Sequence, residues 1–206
     1  MVVRNYAVKD LLQHGVCDRP LMIHGASLET AIYFLRNGYL PKGIHDRKTI
    51  SKDPTTDRVY FCPVTLTGED RNHVLKEAKF HARKNGILHY VHSRLGIPLD
   101  AECKRKYYMT FRNFFLMNDP QLLLENLRSF AKLFNTSDEV AKEILKNAMG
   151  RYGVIFEANS NALRFLEGER AGAISLYCPD GLEYTCFDGI LPLSETERKI
   201  LLSEVK

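Results

Sequence analysis

Residues 21–41 read LMIHGASLETAIYFLRNGYLP. The apolar triplet Leu21-Met22-Ile23 predicts a strand that runs into His24-Gly25. Ser27 stands where a following helix needs its N-cap, and Leu28, Ala31, Ile32 and Leu35 would share one face of that helix as far as about Asn37. Gly38 is placed to close it, and Pro41 keeps it from resuming. His24 is therefore expected at a strand-to-helix junction, where the first backbone N–H groups of a helix lack partners within it.

The rest of the chain sets the frame for this stretch. Its 206 residues are read as one domain, 1–206, and a hydrophobic share of 45% is enough for an ordinary packed core. No apolar run approaches the roughly 20 residues that cross a bilayer. The amino-terminal MVVRNYAVKDLLQHG is charged and amphipathic, unlike a secretory signal. The expected location is cytoplasmic, away from membranes. Five scattered cysteines (Cys17, Cys62, Cys103, Cys178 and Cys186), with no C-x-x-C pair, point to reduced thiols rather than a disulfide frame. His89 and His92 lie close together in HYVH, but no cysteine or carboxylate pair stands beside them at a metal-ligand spacing, so no metal is expected.

A net charge of +4 permits an acidic or nucleic-acid partner without requiring one. The one basic cluster, Lys104-Arg105-Lys106 with Tyr107-Tyr108, mixes cations and aromatics as single-strand binders do, and equally suits a solvated helix start.

Three stretches differ in character. Residues 1–66 combine short strands, the helix above and a polar loop, KGIHDRKTISKDPTTDR at 42–58. Residues 68–150 read as helical. One helix is expected over Glu69–Lys84, ended by Asn85-Gly86. A second opens at Asp119-Pro120 and carries Leu122, Leu123, Leu127, Phe130 and Leu133. A third opens at a capping box from Thr136 to Glu139 and ends at Gly150. Residues 151–192 return to strands at 153–156, 173–177 and 183–187, the last two joined as a hairpin across Asp180-Gly181. Ser194-Glu195-Thr196-Glu197 caps a final helix. The expected class is α+β, a sheet system interrupted by a helical block.

Three segments carry the chemistry: IHGAS at 23–27, RVYFCPV at 58–64 with Tyr60-Phe61, and GLEYTCFDGILPLS at 181–194 with Glu183. A carboxylate among apolar and aromatic neighbours suits a cleft that holds a polar ligand. In this order the segments resemble the ADP-ribosyltransferase superfamily on its diphtheria-toxin and poly-ADP-ribose-polymerase side, whose signature is His, Tyr, Glu. The resemblance covers about residues 21–64 and 173–194. It implies a split-sheet core, with the helical stretch 68–150 as an insertion between the second and third motifs, and NAD as substrate. It also implies transfer of ADP-ribose to a macromolecular acceptor, taken as protein, by a monomer.

By that resemblance Glu183 is the catalytic carboxylate, and His24, Gly25, Ala26, Ser27, Tyr60 and Phe61 bind the dinucleotide. Cleaving the nicotinamide–ribose bond builds positive charge on the sugar, which an ionised carboxylate stabilises. Tyr60 offers nicotinamide a ring to stack on, Gly25 offers backbone to its amide, and His24 can hydrogen-bond the adenosine ribose. The chain also departs from the family. Gly68 and Arg71 stand where the polymerase branch has a serine and a second tyrosine. Gly181 replaces the first glutamate of the Glu-x-Glu used against arginine, so arginine is disfavoured as acceptor. Ser27 replaces an arginine of the RNA 2′-phosphotransferases. The alternatives are a nucleic-acid-directed transferase or 2′-phosphotransferase of the same fold, and a non-catalytic interaction module.

Overall fold

In the computed structural model residues 10–15, 20, 22–41, 59–63, 71–96, 120–148, 153–171, 173–178 and 180–204 are described. The charged loop at 42–58, the basic cluster at 104–108, the Asp119 cap, the Gly150 stop, Cys17 and Cys103 lie outside them.

The quoted stretch folds as its pattern predicts. β1 spans Met22–Ala26, and α1 spans Leu28–Asn37. The Ser27 hydroxyl accepts the Thr30 N–H at 3.2 Å, and Gly38 at φ +66° closes the helix by donating its N–H to the Phe34 carbonyl at 2.7 Å. The buried face is Leu28, Ala31, Phe34 and Leu35, with Ile32 only partly covered. Phe34 takes the central place because its ring meets Phe156 at 5.1 Å and Phe187 at 5.3 Å, both edge-on.

The remaining elements are β2 (Tyr39–Leu40), β3 (Val59–Pro63), α2 (Arg71–Leu95), α3 (Pro120–Glu125), α4 (Leu127–Leu133), α5 (Asp138–Ala148), β4 (Val154–Ala158), β5 (Glu167–Ala171), β6 (Ala173–Cys178), β7 (Leu182–Glu183), β8 (Phe187–Pro192) and α6 (Glu195–Glu204). Strands and helices mix as an α+β fold, with the helices α2–α5 falling between β3 and β4. Six strands form one sheet in the order β5-β6-β3-β1-β4-β8, and β2 pairs with β7 in a separate two-stranded ribbon.

β1 is central and covered on both faces. Met22 and Ala26 join Phe34, Phe61, Phe156 and Phe187 in the larger core cluster, beneath α1. Ile23 points the other way and packs with Ile155 against Val74 and Ala78 of α2. That packing brings backbone onto backbone: a Cβ at Gly25 would run into the Ala78 carbonyl oxygen. Burial on both faces also accounts for β4, in which Val154, Ile155, Phe156, Glu157 and Ala158 are all buried.

The structure corrects several sequence expectations. Asn85-Gly86 does not end a helix, because α2 continues to Leu95 with Gly86 and Val91 buried. Arg94 at its far end reaches Glu143 of α5 at 2.9 Å. Tertiary contact thus outweighs the roughly 1 kcal/mol that a glycine costs inside a helix. The helix expected from Asp119-Pro120 through Leu133 is broken at Asn126, whose side-chain amide donates to the Leu122 carbonyl at 2.7 Å. The cap of α5 is Ser137, one residue later than expected: its hydroxyl accepts the Val140 N–H at 3.3 Å.

The expected 173–177/183–187 hairpin is absent. β6 instead pairs with β5 and β3, β7 pairs with β2, and β8 pairs with β4. Glu167–Ala171, for which no element is expected from the sequence, forms strand β5. Tyr184–Cys186 is a 3-10 turn rather than strand, since Tyr184 N–H bonds to Gly38 O and Cys186 O receives Asn159 N–H. The amides of Asn159 and Asn161 meanwhile satisfy Thr185 O, at 3.1 and 3.2 Å. The final cap is where the sequence puts it. Ser194 receives the Glu197 N–H at 3.2 Å and bonds Glu197 Oε2 at 3.0 Å, while Glu197 Oε1 accepts the Gly153 N–H.

Candidate functional site

β1 and β3 are antiparallel neighbours, yet their ladder runs over two pairs, Met22↔Pro63 and Ile23↔Cys62. From there β3 continues along β6 through Phe61↔Leu176, Tyr60↔Tyr177 and Val59↔Cys178. On its other side β1 stays paired with β4 through all five residues. The β1–β3 ladder therefore ends at Ile23↔Cys62, and the ladder pairs of His24, Gly25 and Ala26 are those with β4.

His24 is half-buried at that level. Its ring centroid lies 5.4 Å from Phe61 and 6.3 Å from Phe156, both tilted, so the imidazole is lodged between two aromatic rings on the face beneath α1. Phe61 is 1% exposed and Ala26 is fully buried, so both serve as the floor. Tyr60 is fixed by its backbone, opposite Tyr177. Gly25 is buried and keeps its place against α2 only because it has no side chain to strike that helix. Ser27 is 3% exposed, and its hydroxyl is engaged by the Thr30 N–H and, at 2.9 Å, by the Thr30 hydroxyl. Six of the seven residues singled out from the sequence thus fall on β1, the start of α1 and β3.

Glu183 belongs to another layer. It ends the two-residue strand β7 and is exposed, while Leu182 beside it and Leu40, the partner of Leu182, are buried. The alternation turns Glu183 to the outer side of the ribbon. Directly opposite it stands Tyr39. The Tyr39 hydroxyl donates to the Asp180 carbonyl. Burial, first, and then the neighbouring Cys178, Asp180, Tyr33 and Glu183 push this phenol above its ordinary pKa. Cys186, buried one turn further on, is also pushed up, again chiefly by burial.

Nothing in the local sequence marks Tyr39, because its place opposite Glu183 depends on a cross-strand register between residues far apart in the chain. Among the described residues no group of three or more His, Cys, Asp or Glu side chains could hold a metal ion. None of their helices is long and apolar enough to cross a membrane. Cys178 and Cys186 are free thiols, both buried.

Compared with protein-family models, curated proteins and solved structures, the chain matches none. The site is therefore read on its own geometry.

Proposed function

We propose that the chain is an NAD-dependent mono-ADP-ribosyltransferase acting on a macromolecular acceptor, a protein in the first instance. The observation that carries this reading is the end of the β1–β3 ladder: His24 and Gly25 lie just past its last pair, and Phe61 from the second strand lies against the imidazole. The family resemblance would put nicotinamide here, with the Gly25 backbone for its carboxamide and Tyr60 as its stacking partner. His24 would hold the adenosine ribose. The two riboses are assigned separately: the adenosine ribose to His24, and the nicotinamide ribose, bonded directly to the ring at Gly25, to Glu183.

In the reaction the nicotinamide–ribose C–N bond breaks and its electron pair leaves with nicotinamide. The acceptor nucleophile forms the new bond to the same ribose carbon and gives up its proton. The carboxylate of Glu183 stabilises the cationic sugar between those events.

The test is the purified chain with labelled NAD and candidate acceptor proteins. Transfer of label is expected, and Glu183→Gln should lower it on the order of 100-fold or more. Equal transfer by the two proteins sinks the assignment of Glu183.

A second reading keeps the fold without the chemistry. Two observations favour it: the Ser27 hydroxyl is committed to capping α1, and Glu183 stands on the outer side of a separate ribbon. A ligand that binds only the folded chain at 100 times its Kd stabilises it by about 2.7 kcal/mol. A clear rise in melting temperature with NAD, but no label transfer, identifies a binding module; no rise and no transfer removes NAD from the proposal.

A further inference from the structure

We propose that Tyr39 is a positioning residue for Glu183: its ring fills the hollow of the Asp180-Gly181 turn and its hydroxyl ties that turn to β2, so that the carboxylate leaves the ribbon at a fixed place. The inference rests on the reading of Glu183 as the transfer carboxylate.

Four observations converge on it. Tyr39 and Glu183 are direct cross-strand partners, as are Leu40 and Leu182, which anchor the inner side of the ribbon. The phenol donates to the carbonyl of Asp180, the residue that opens the turn into β7. Gly181 adopts φ +81°, and a Cβ there would run into the Leu40 carbonyl oxygen and lie 2.7 Å from Tyr39 Oη and 2.9 Å from Tyr39 Cζ, so the turn is packed against both the β2 backbone and the tyrosine. Below the pair, Tyr184 N–H bonds to Gly38 O at 3.0 Å, which fixes the other end of the same short segment. Two paired residues alone make a weak ribbon. The phenol adds the bond that closes it. Because burial and its neighbours raise the Tyr39 pKa, the hydroxyl keeps its proton, and hence its donor role, across the neutral range.

The experiment compares the full chain with Tyr39→Phe, Gly181→Ala and Glu183→Gln by amide hydrogen exchange and by steady-state kinetics with NAD. Tyr39→Phe keeps the ring and removes the bond. It should raise exchange of the amides at 181–184 several-fold and leave exchange in β1 and β4 unchanged. It should also lower kcat about ten-fold with little change in the KM for NAD, the signature of a misplaced catalytic group. Gly181→Ala disturbs the same turn from the other side and should reproduce that split.

Unchanged exchange at 181–184 in Tyr39→Phe overturns the inference whatever the activity. Loss of activity in Glu183→Gln with wild-type kinetics in Tyr39→Phe overturns it while leaving the functional reading intact. Faster exchange throughout the sheet means that Tyr39 is merely structural, which also overturns it. Wild-type kinetics in Glu183→Gln brings down the functional reading, and the inference with it.

Discussion

Gly25 and Ser27 differ in what their neighbours demand of them. Gly25 is required by an approach of two backbones, and a backbone carbonyl cannot step aside as a side-chain end can. Gly25→Ala should therefore destabilise the fold by on the order of 3 kcal/mol, measured by denaturant unfolding. Wild-type stability would mean that α2 stands further from β1 than the structure places it. Ser27 makes one N-terminal hydrogen bond, so Ser27→Ala should cost about 1 kcal/mol and Ser27→Asp much less.

The role of Ser27 was legible in the sequence, because capping is settled by a residue and the three that follow it. The need for glycine at 25 was attributed to a ligand, whereas the structure adds a scaffold reason that comes from Ala78, 53 positions away. Glu183 was identified by its flanking residues, and its setting on the ribbon opposite Tyr39 was not, since only the tertiary register creates it.

Among the elements, those with a self-contained signal were read correctly. α1 has its cap, stripe and glycine stop within a dozen residues, and α6 has its Ser194–Glu197 box. Two of the misreadings fell where a partner overrides local preference. Asn85-Gly86 looks like a stop, but α2 continues because its far half packs into the helical block. Tyr184–Cys186 looks like strand, but it turns because Gly38, Asn159 and Asn161 claim its backbone.

The same view ranks two carboxylates. Glu197 is 2% exposed and binds the Gly153 N–H and the Ser194 hydroxyl, so Glu197→Ala should cost about 3 kcal/mol in unfolding experiments. Glu143 meets Arg94 with both side chains more than half exposed, and a double-mutant cycle there should return no more than about 0.5 kcal/mol.

At the scale of the molecule, two raised pKa values among the described residues bear on the alkaline side of the pH response. The thiol of Cys186 and the phenol of Tyr39 hold their protons more tightly when folded than when unfolded. Their contribution is complete below the unfolded values and is lost as pH rises through the folded ones. Thermal stability should therefore decline above roughly pH 8.5, where an unfolded thiol begins to ionise. Tyr39→Phe should soften the upper part of that decline. A melting temperature that holds steady to pH 11 would contradict this.

The α+β class and the interruption of the sheet by helices were readable as a change from one periodicity to another along the chain. The strand order was not. The order β5-β6-β3-β1-β4-β8 depends on which edges find each other, and in the sequence the turn at Asp180-Gly181 pointed to the wrong pair.

The double covering of β1 carries one consequence for traffic. With α1 above it and α2 pressed onto it from below, β1 is sealed along both of its faces, so neither face offers solvent or a visiting molecule a way to the Gly25 main chain.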